Sequence, residues 1–185
     1  MVKDILKDAE QKMLKANESV RVELTKIRSG KATTALLDGV KVDYYGTLMP
    51  LNQVATVSIP DIHSIAVQPW EKSMLQPIEK AIIAANLGFN PVNDGTLVRV
   101  AIPPLNEDRR KDLVKLTKKF GEEGKVSIRN VRRDAMEHLK KSEKTEHFSE
   151  DERKRGEADL QKMTDKHIEE IDQLLSKKEK EIMEV

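Results

Sequence analysis

Ten residues, Lys125 to Asp134 (KVSIRNVRRD), hold the most legible chemistry in this chain. Arg129, Arg132 and Arg133 follow Lys125 at spacings of four, seven and eight residues. At ~100° per residue, a helix gathers all four within roughly 60° of one line along its surface. The same line, continued towards the N-terminus, picks up Lys111, Lys115 and Lys118. A guanidinium group is planar, permanently charged and able to hold a phosphate through two parallel hydrogen bonds, which an ammonium cannot do. The chemistry on offer is recognition of a polyanion, of which RNA and DNA are the commonest. The opposite side of this helix is expected to face a core through Leu113, Leu116, Phe120, Ser127, Val131 and His138. An exposed charged helix face is the ordinary alternative. Arginine in place of lysine and a single interrupting acid, Glu122, favour a docking ridge.

Nothing else in the chain is arranged for catalysis. His63, His138, His147 and His167 fall on separate elements without metal-ligand spacing, and His138 and His167 are expected on core faces. No glycine-rich phosphate loop is present, and the absence of cysteine excludes thiolate chemistry and disulfides. Most carboxylates stand beside Lys or Arg at helical spacing, the pattern of a solvated, ion-paired face. The expectation is therefore no catalytic residue, no metal, no cofactor and no enzyme. Trp70, after Pro69 at a strand-to-helix junction, is expected to anchor a small core. Aromatic residues make up only 3%, which argues against binding single strands by base stacking. Recognition of the backbone and shape of folded RNA fits better.

The elements that must position these residues follow from periodicity. Leu6, Ala9, Met13, Ala16, Val20, Leu24 and Ile27 recur every three or four residues, giving an amphipathic first helix that stops at Ser29-Gly30. From Lys31 to Pro104 the pattern becomes β-rich. Strands are expected at Val40–Tyr45, Val54–Ile59, Ser64–Gln68, Pro91–Val92 and Leu97–Ile102, with a helix over Glu71–Asn86. Asn93-Asp94-Gly95 signals a tight hairpin turn. After Pro104 a helical period resumes to about Thr145, interrupted by Gly121 and Gly124, where a bend is expected. Ser149 with Glu152 reads as a capping box, and Leu160, Met163, His167, Ile171 and Leu174 supply the last apolar face.

The fold class is thus α+β: an elongated antiparallel three-helix bundle (residues 1–30 and 105–185) with a small α+β domain (31–104) inserted. Ser29, Gly30 and Lys31 on one side, and Pro103, Pro104 and Leu105 on the other, are the crossing points and form the expected hinge. Net charge is only +1, so local distribution carries the electrostatics. Residues 105–146 hold 13 basic and 9 acidic groups, while 149–185 hold 8 and 12. No apolar run suggests a membrane span and no leader is evident at the N-terminus, which suits a cytoplasmic protein without a membrane partner.

Several blocks together resemble bacterial ribosome recycling factor. They are Ile128–Ala135 (IRNVRRDA), Val42–Gly46 (VDYYG), Pro50–Ile59, Val67–Ser73 (VQPWEKS), Asn86–Gly95 (NLGFNPVNDG) and the run from Leu160 to Val185. The resemblance covers essentially the whole chain. It departs at Lys31-Ala32-Thr33-Thr34, where the family more usually has a proline. It implies an L-shaped monomer that binds the large ribosomal subunit after peptide release. With elongation factor G and GTP, it splits the post-termination complex and frees messenger RNA and tRNA. It further implies that Arg132 is the essential ribosomal-RNA contact, with Arg129 beside it and Arg28 and Arg110 as additional contacts. Arg133, Lys125 and Lys118 join the expected RNA surface from the ridge itself. The rival readings are a coiled-coil adaptor or chaperone without an RNA ligand, favoured by heptad-like spacing and the acidic last helix, and a duplex-DNA binder, disfavoured by the net charge.

Overall fold

The structure, a computed structural model, describes residues 2–146 and 148–184; His147 lies outside them. The chain divides into two compact units, Met1–Arg28 with Glu107–Glu184, and Ser29–Asn106.

The first unit contains three helices, α1 (Val2–Lys26), α3 (Glu107–Glu146) and α4 (Glu150–Met183). Val20 of α1 meets α3 at Gly124, and Lys12 feels the charge of Asp134, so α1 and α3 run antiparallel. Leu175 of α4 meets Gly121, while Arg153 of α4 pairs with Glu143, so α3 and α4 are also antiparallel. Ile128, Leu139, Leu160 and Ile171 are completely buried between them, each stabilising the bundle by about 1.5–3 kcal/mol through apolar burial.

The buried stripe of α3 differs from the expected one. Leu113, Thr117, Gly121, Gly124, Ile128, Ala135, Leu139 and Ser142 are buried, whereas Leu116, Ser127 and His138 are exposed and Phe120 and Val131 only half-buried. On a helical wheel the true stripe is displaced by about 70° from the expected one. Small and polar residues hid it. The Thr117 hydroxyl donates to the Leu113 carbonyl (2.8 Å), and Thr164 of α4 does the same to Leu160 (2.7 Å). Both threonines therefore bury without an unsatisfied polar atom. Smaller shifts occur elsewhere: Ile5 rather than Leu6 is the buried residue of the first turns of α1, and Met163 and Leu174 of α4 are half-buried beside buried Thr164 and Leu175.

Gly121 and Gly124 do not break α3, which is continuous through both. A Cβ on Gly121 would collide with the branched head of Leu175, and one on Gly124 with Val20. They are sites of close helix approach. His167 is buried as expected, its Nδ1 2.9 Å from Glu170 Oε2, an oxygen that also accepts from Asn17 Nδ2 of α1 (2.6 Å). The capping box at the start of α4 is complete: the Glu152 amide donates to Ser149 Oγ (3.2 Å), and the Ser149 amide to Glu152 Oε2 (2.9 Å).

The second unit has a hairpin, β1 (Lys41–Tyr44) with β2 (Thr47–Pro50), and a four-stranded antiparallel sheet. The sheet comprises β3 (Ala55–Asp61), β4 (Ser64–Pro69), β5 (Pro91–Asn93) and β6 (Val98–Ala101) in the order β3-β4-β6-β5. α2 covers only Leu75–Ala84, preceded by a short 3-10 turn at Lys72–Met74. β2 is absent from the expected strands; it is four residues long and ends at Pro50. β3 passes through Pro60, which sits where the register with β4 slips between Ser58 and Asp61; proline is tolerated at such an irregularity.

Strand parity sets the core. Ile65 and Val67 of β4 face Val100 and Val98 of β6 and are buried with Ile78 and Ile82 of α2. Trp70 continues the other parity, that of Gln68, and is 65% exposed. It is not a core anchor; its indole N–H donates to Thr56 Oγ1 (3.0 Å) on the same outer face.

Two tests follow from this packing. Gly121→Ala should destabilise the protein by ~1–3 kcal/mol through overpacking against Leu175, although helix propensity alone predicts a gain of ~1 kcal/mol. A raised melting temperature would contradict the close approach. Backbone and hydroxyl donors from Ser149 hold the Glu152 carboxyl below its ordinary pKa. Its stabilising effect is present above the unfolded-state pKa and is lost as pH falls through the folded one. Glu152→Gln should therefore be less stable than the parent near neutrality, with the difference closing in acid, as thermal unfolding across a pH series would register.

Candidate nucleic-acid interface on the middle helix

The long helix that carries the cations begins with Glu107 and Asp108 and has Lys144 in its last turn, an arrangement that complements the helix dipole at both ends. On the helical wheel its cationic line lies about 100° from the buried stripe rather than opposite it. The ridge therefore has an inner margin against α4 and an outer margin in solvent, and its members differ in kind.

Lys125 and Arg132 form the inner margin. The Lys125 side chain is 14% exposed and pairs with Asp172 of α4 at 2.5 Å and Glu122 at 3.4 Å. The hydrogen bond to Asp172 leads in raising its ammonium pKa against the opposing effect of burial. Lys125 is thus a structural cation already neutralised by two carboxylates. Arg132 is half-buried, and its Nη1 donates to Gln161 Oε1 of α4 at 2.6 Å. Gln161 in turn donates to Asp165 (2.8 Å). Arg132 Nε is buried with no hydrogen-bond partner among the described residues. The guanidinium is held in one orientation by a neutral partner, so its orientation is fixed while its charge stays available.

Arg129 and Arg133 form the outer margin and are exposed. Arg133 Nη2 donates to Asn130 Oδ1 at 3.2 Å. Neither of them, nor Arg132, has an ion-pair partner among the described residues. Some other cations on the same helix are different, Lys111 pairing with Glu107 at 2.8 Å and Lys141 with Glu137 at 2.7 Å, while Lys118 and Lys140 have no ion-pair partner among the described residues. Within roughly one turn, then, three guanidinium groups share a helix face with no carboxylate to compensate them.

The structure does not bring every expected contact to this cluster. Lys118 is exposed two turns before Lys125. Arg110 lies 22 residues before Arg132, about 33 Å along the axis, and its Nε is buried without a partner among the described residues. Arg28, exposed just beyond α1, belongs to the same end of the bundle as Arg110. The expected crossing residues all fall in the smaller unit. Ser29 is buried, and Gly30 takes φ +78°, where an added Cβ would stand 3.1 Å from Leu105 Cγ. The two crossing segments touch there, where only glycine fits both the dihedral and the space. Lys31, Pro103 and Pro104 are exposed and Leu105 half-buried. Ala32 donates to the Ile62 carbonyl at 2.8 Å, so the Thr33-Thr34 segment is tied down without a proline.

Gln161 is the partner of Arg132 that periodicity could not identify, because it reaches across the α3–α4 seam. Among the described residues no group of three His, Asp or Glu side chains could hold a metal, and no helix is long and apolar enough to cross a membrane.

The division between structural and available cations is testable by stability alone. Lys125→Met should lower the midpoint of thermal unfolding, by about 2–4 °C for each kcal/mol of stability removed. Arg129→Ala should leave it unchanged, and equal losses would contradict the division.

Residues 20–183 match the ribosome recycling factor family. The ribosome-recycling factor of Lawsonia intracellularis is 52% identical over 181 residues, covering 98% of this chain and 96% of that one. A solution structure of the ribosome recycling factor aligns with a TM-score of 0.76 at 46% identity, over 100% of this chain and 98% of the other. A second structural relative describes the T. thermophilus ribosome recycling factor and E. coli elongation factor G bound to the E. coli post-termination complex. It aligns with a TM-score of 0.64 at 48% identity over 99% of both chains. The match runs through both units and through the arginine turn of α3, and the chain belongs to the ribosome recycling factor family.

Proposed function

We propose that this protein docks on large-subunit ribosomal RNA through Arg129, Arg132 and Arg133, with Lys118 extending the surface and Arg110 and Arg28 forming a second contact at the other end. Together with elongation factor G and GTP it splits the post-termination ribosome and releases messenger RNA and tRNA. The observation that carries the docking surface is the set of three uncompensated guanidinium groups within five residues of a helix on which Lys111, Lys125 and Lys141 are already paired with carboxylates. Such groups gain most from phosphate, because no internal ion pair must be broken first. The relative bound with elongation factor G to a post-termination complex supports the partners. The protein itself is not an enzyme in this reading; GTP is hydrolysed by the elongation factor, and the work is done in the cytoplasm where ribosomes are.

The two units act as separate domains, the bundle anchoring and the smaller one receiving the elongation factor. The crossing at Ser29-Gly30-Lys31 and Pro103-Pro104-Leu105 is the hinge. Support comes from the double chain connection and from the Gly30–Leu105 contact, which couples its two strands.

Arg132→Ala should weaken binding to isolated large subunits by ~1–3 kcal/mol and slow polysome breakdown in the presence of elongation factor G and GTP. Arg132→Lys should recover only part, since the charge survives and the fork directed by Gln161 does not. Unchanged affinity with a native melting temperature would contradict the docking surface and favour an adaptor that ignores RNA. Gly30→Ala, strained at φ +78° and pressed on Leu105, should slow splitting while leaving subunit affinity intact; full-rate splitting would remove the hinge from the mechanism.

A further inference from the structure

The four-stranded sheet of the smaller unit has two edges, and they are treated differently. The hydrogen-bonding parity of each strand follows from two backbone hydrogen bonds: the Trp70 amide donates to the Val54 carbonyl (3.2 Å), and the Ile102 amide to the His63 carbonyl (2.7 Å). With the registers 56↔68 and 58↔66, Thr56 and Ser58 turn their amides and carbonyls towards β4. Ala55, Val57 and Ile59 must turn theirs outward. On β5, the outward positions are Pro91 and Asn93. Pro91 has no N–H, and the Asn93 side chain is engaged with the Gly95 amide (2.8 Å). That edge is blunted in the usual way. β3 is protected only at its far end, by Pro60 and the register slip. Ala55 is buried, so the open part of the β3 ladder runs from Thr56 to Ile59, over about 14 Å, with Val57 and Ile59 as the outward positions.

The start of this stretch, Thr56 and Val57, lines a groove of about 650 Å³ together with Ala55, Leu37, Asp38, Leu51 and Trp70. Leu37 and Leu51 give it an apolar floor, and exposed Trp70 stands at one end. Asp38 is the single charged residue in its lining and has no cation partner among the described residues. An unpaired edge, an apolar floor and one carboxylate without a cation partner together suit one kind of occupant, an extended segment with basic side chains.

We propose that the β3 edge binds an extended, cationic peptide segment of a partner protein as an added antiparallel or parallel strand, with Asp38 selecting the charge and Trp70 covering one end. This surface is separate from the arginine turn of α3 and needs no RNA.

Trp70 is the chain's only tryptophan and reports on its own groove. The probe is a capped hexapeptide of alternating arginine and valine, added to the full-length protein. A saturable blue shift of tryptophan emission is expected, weakened several-fold by Asp38→Asn and absent with the glutamate–valine counterpart. N-methylation of alternate peptide amides should abolish it. So should Val57→Pro, which removes an outward donor and leaves the β3–β4 ladder intact. The proposal is overturned if millimolar peptide gives no shift or if the glutamate peptide binds equally. It is also overturned if peptides N-methylated in either alternate register bind like the parent. A shift that depends on protein concentration alone would assign the edge to a second copy of this chain instead. Because the N-methylated peptides are tested on the unaltered protein, the outcome stands even if Val57→Pro fails to fold.

Discussion

Everything in the bundle depends on how closely α3 can approach its neighbours, and that approach is set by glycine. At Gly121 and Gly124 there is no room for a Cβ against Leu175 and Val20. The Leu175 and Val20 side chains seat directly against the backbone of α3 there, and this close approach fixes the rotation of α3 about its own axis. Once that rotation is fixed, every other residue of α3 has its exposure assigned. Thr117 and Ser142 go in, Leu116 and His138 go out, and the cationic line comes to rest on the shoulder of the bundle.

The shoulder position has an electrostatic consequence. A ridge directly opposite the core would be uniformly solvated, with seven similar cations. On the shoulder, Lys125 is drawn against α4 and neutralised by Asp172. Arg132 is drawn in as well, but meets a glutamine rather than an acid. A half-buried charge facing a neutral partner is costly to the isolated protein, a cost that the proposed phosphate contact would offset. Arg129 and Arg133 extend the same charge into solvent. The acidic excess of α4 is thus placed to compensate some cations of α3 and to leave others available.

How much of this was legible in the sequence differed from element to element. The long helices, the capping box at Ser149 and the β5–β6 hairpin at Asn93-Asp94-Gly95 were readable because each is written in local chemistry: periodicity, a capping pair, a turn dipeptide. The α3 core stripe was misread because two glycines and two hydroxyl residues occupy it, and periodicity weighs only apolar side chains. Trp70 was misplaced by treating size as burial, where the parity of β4 decides. The arginines were visible by type and spacing, but the difference between Lys125 and Arg132 was not, since it lies in whether α4 answers with Asp172 or Gln161. Such an assignment needs the register of two helices distant in sequence.

The central claim is that Arg129, Arg132 and Arg133 meet phosphates of large-subunit RNA directly. Counterion release makes that claim measurable: affinity for isolated large subunits should fall linearly on logarithmic axes as salt rises. Changing the three arginines together to glutamine should reduce that slope by about 2–3, at ~0.7–0.9 for each phosphate the variant no longer neutralises. An unchanged slope in a folded triple variant would contradict the account and move the RNA-binding surface elsewhere on the protein.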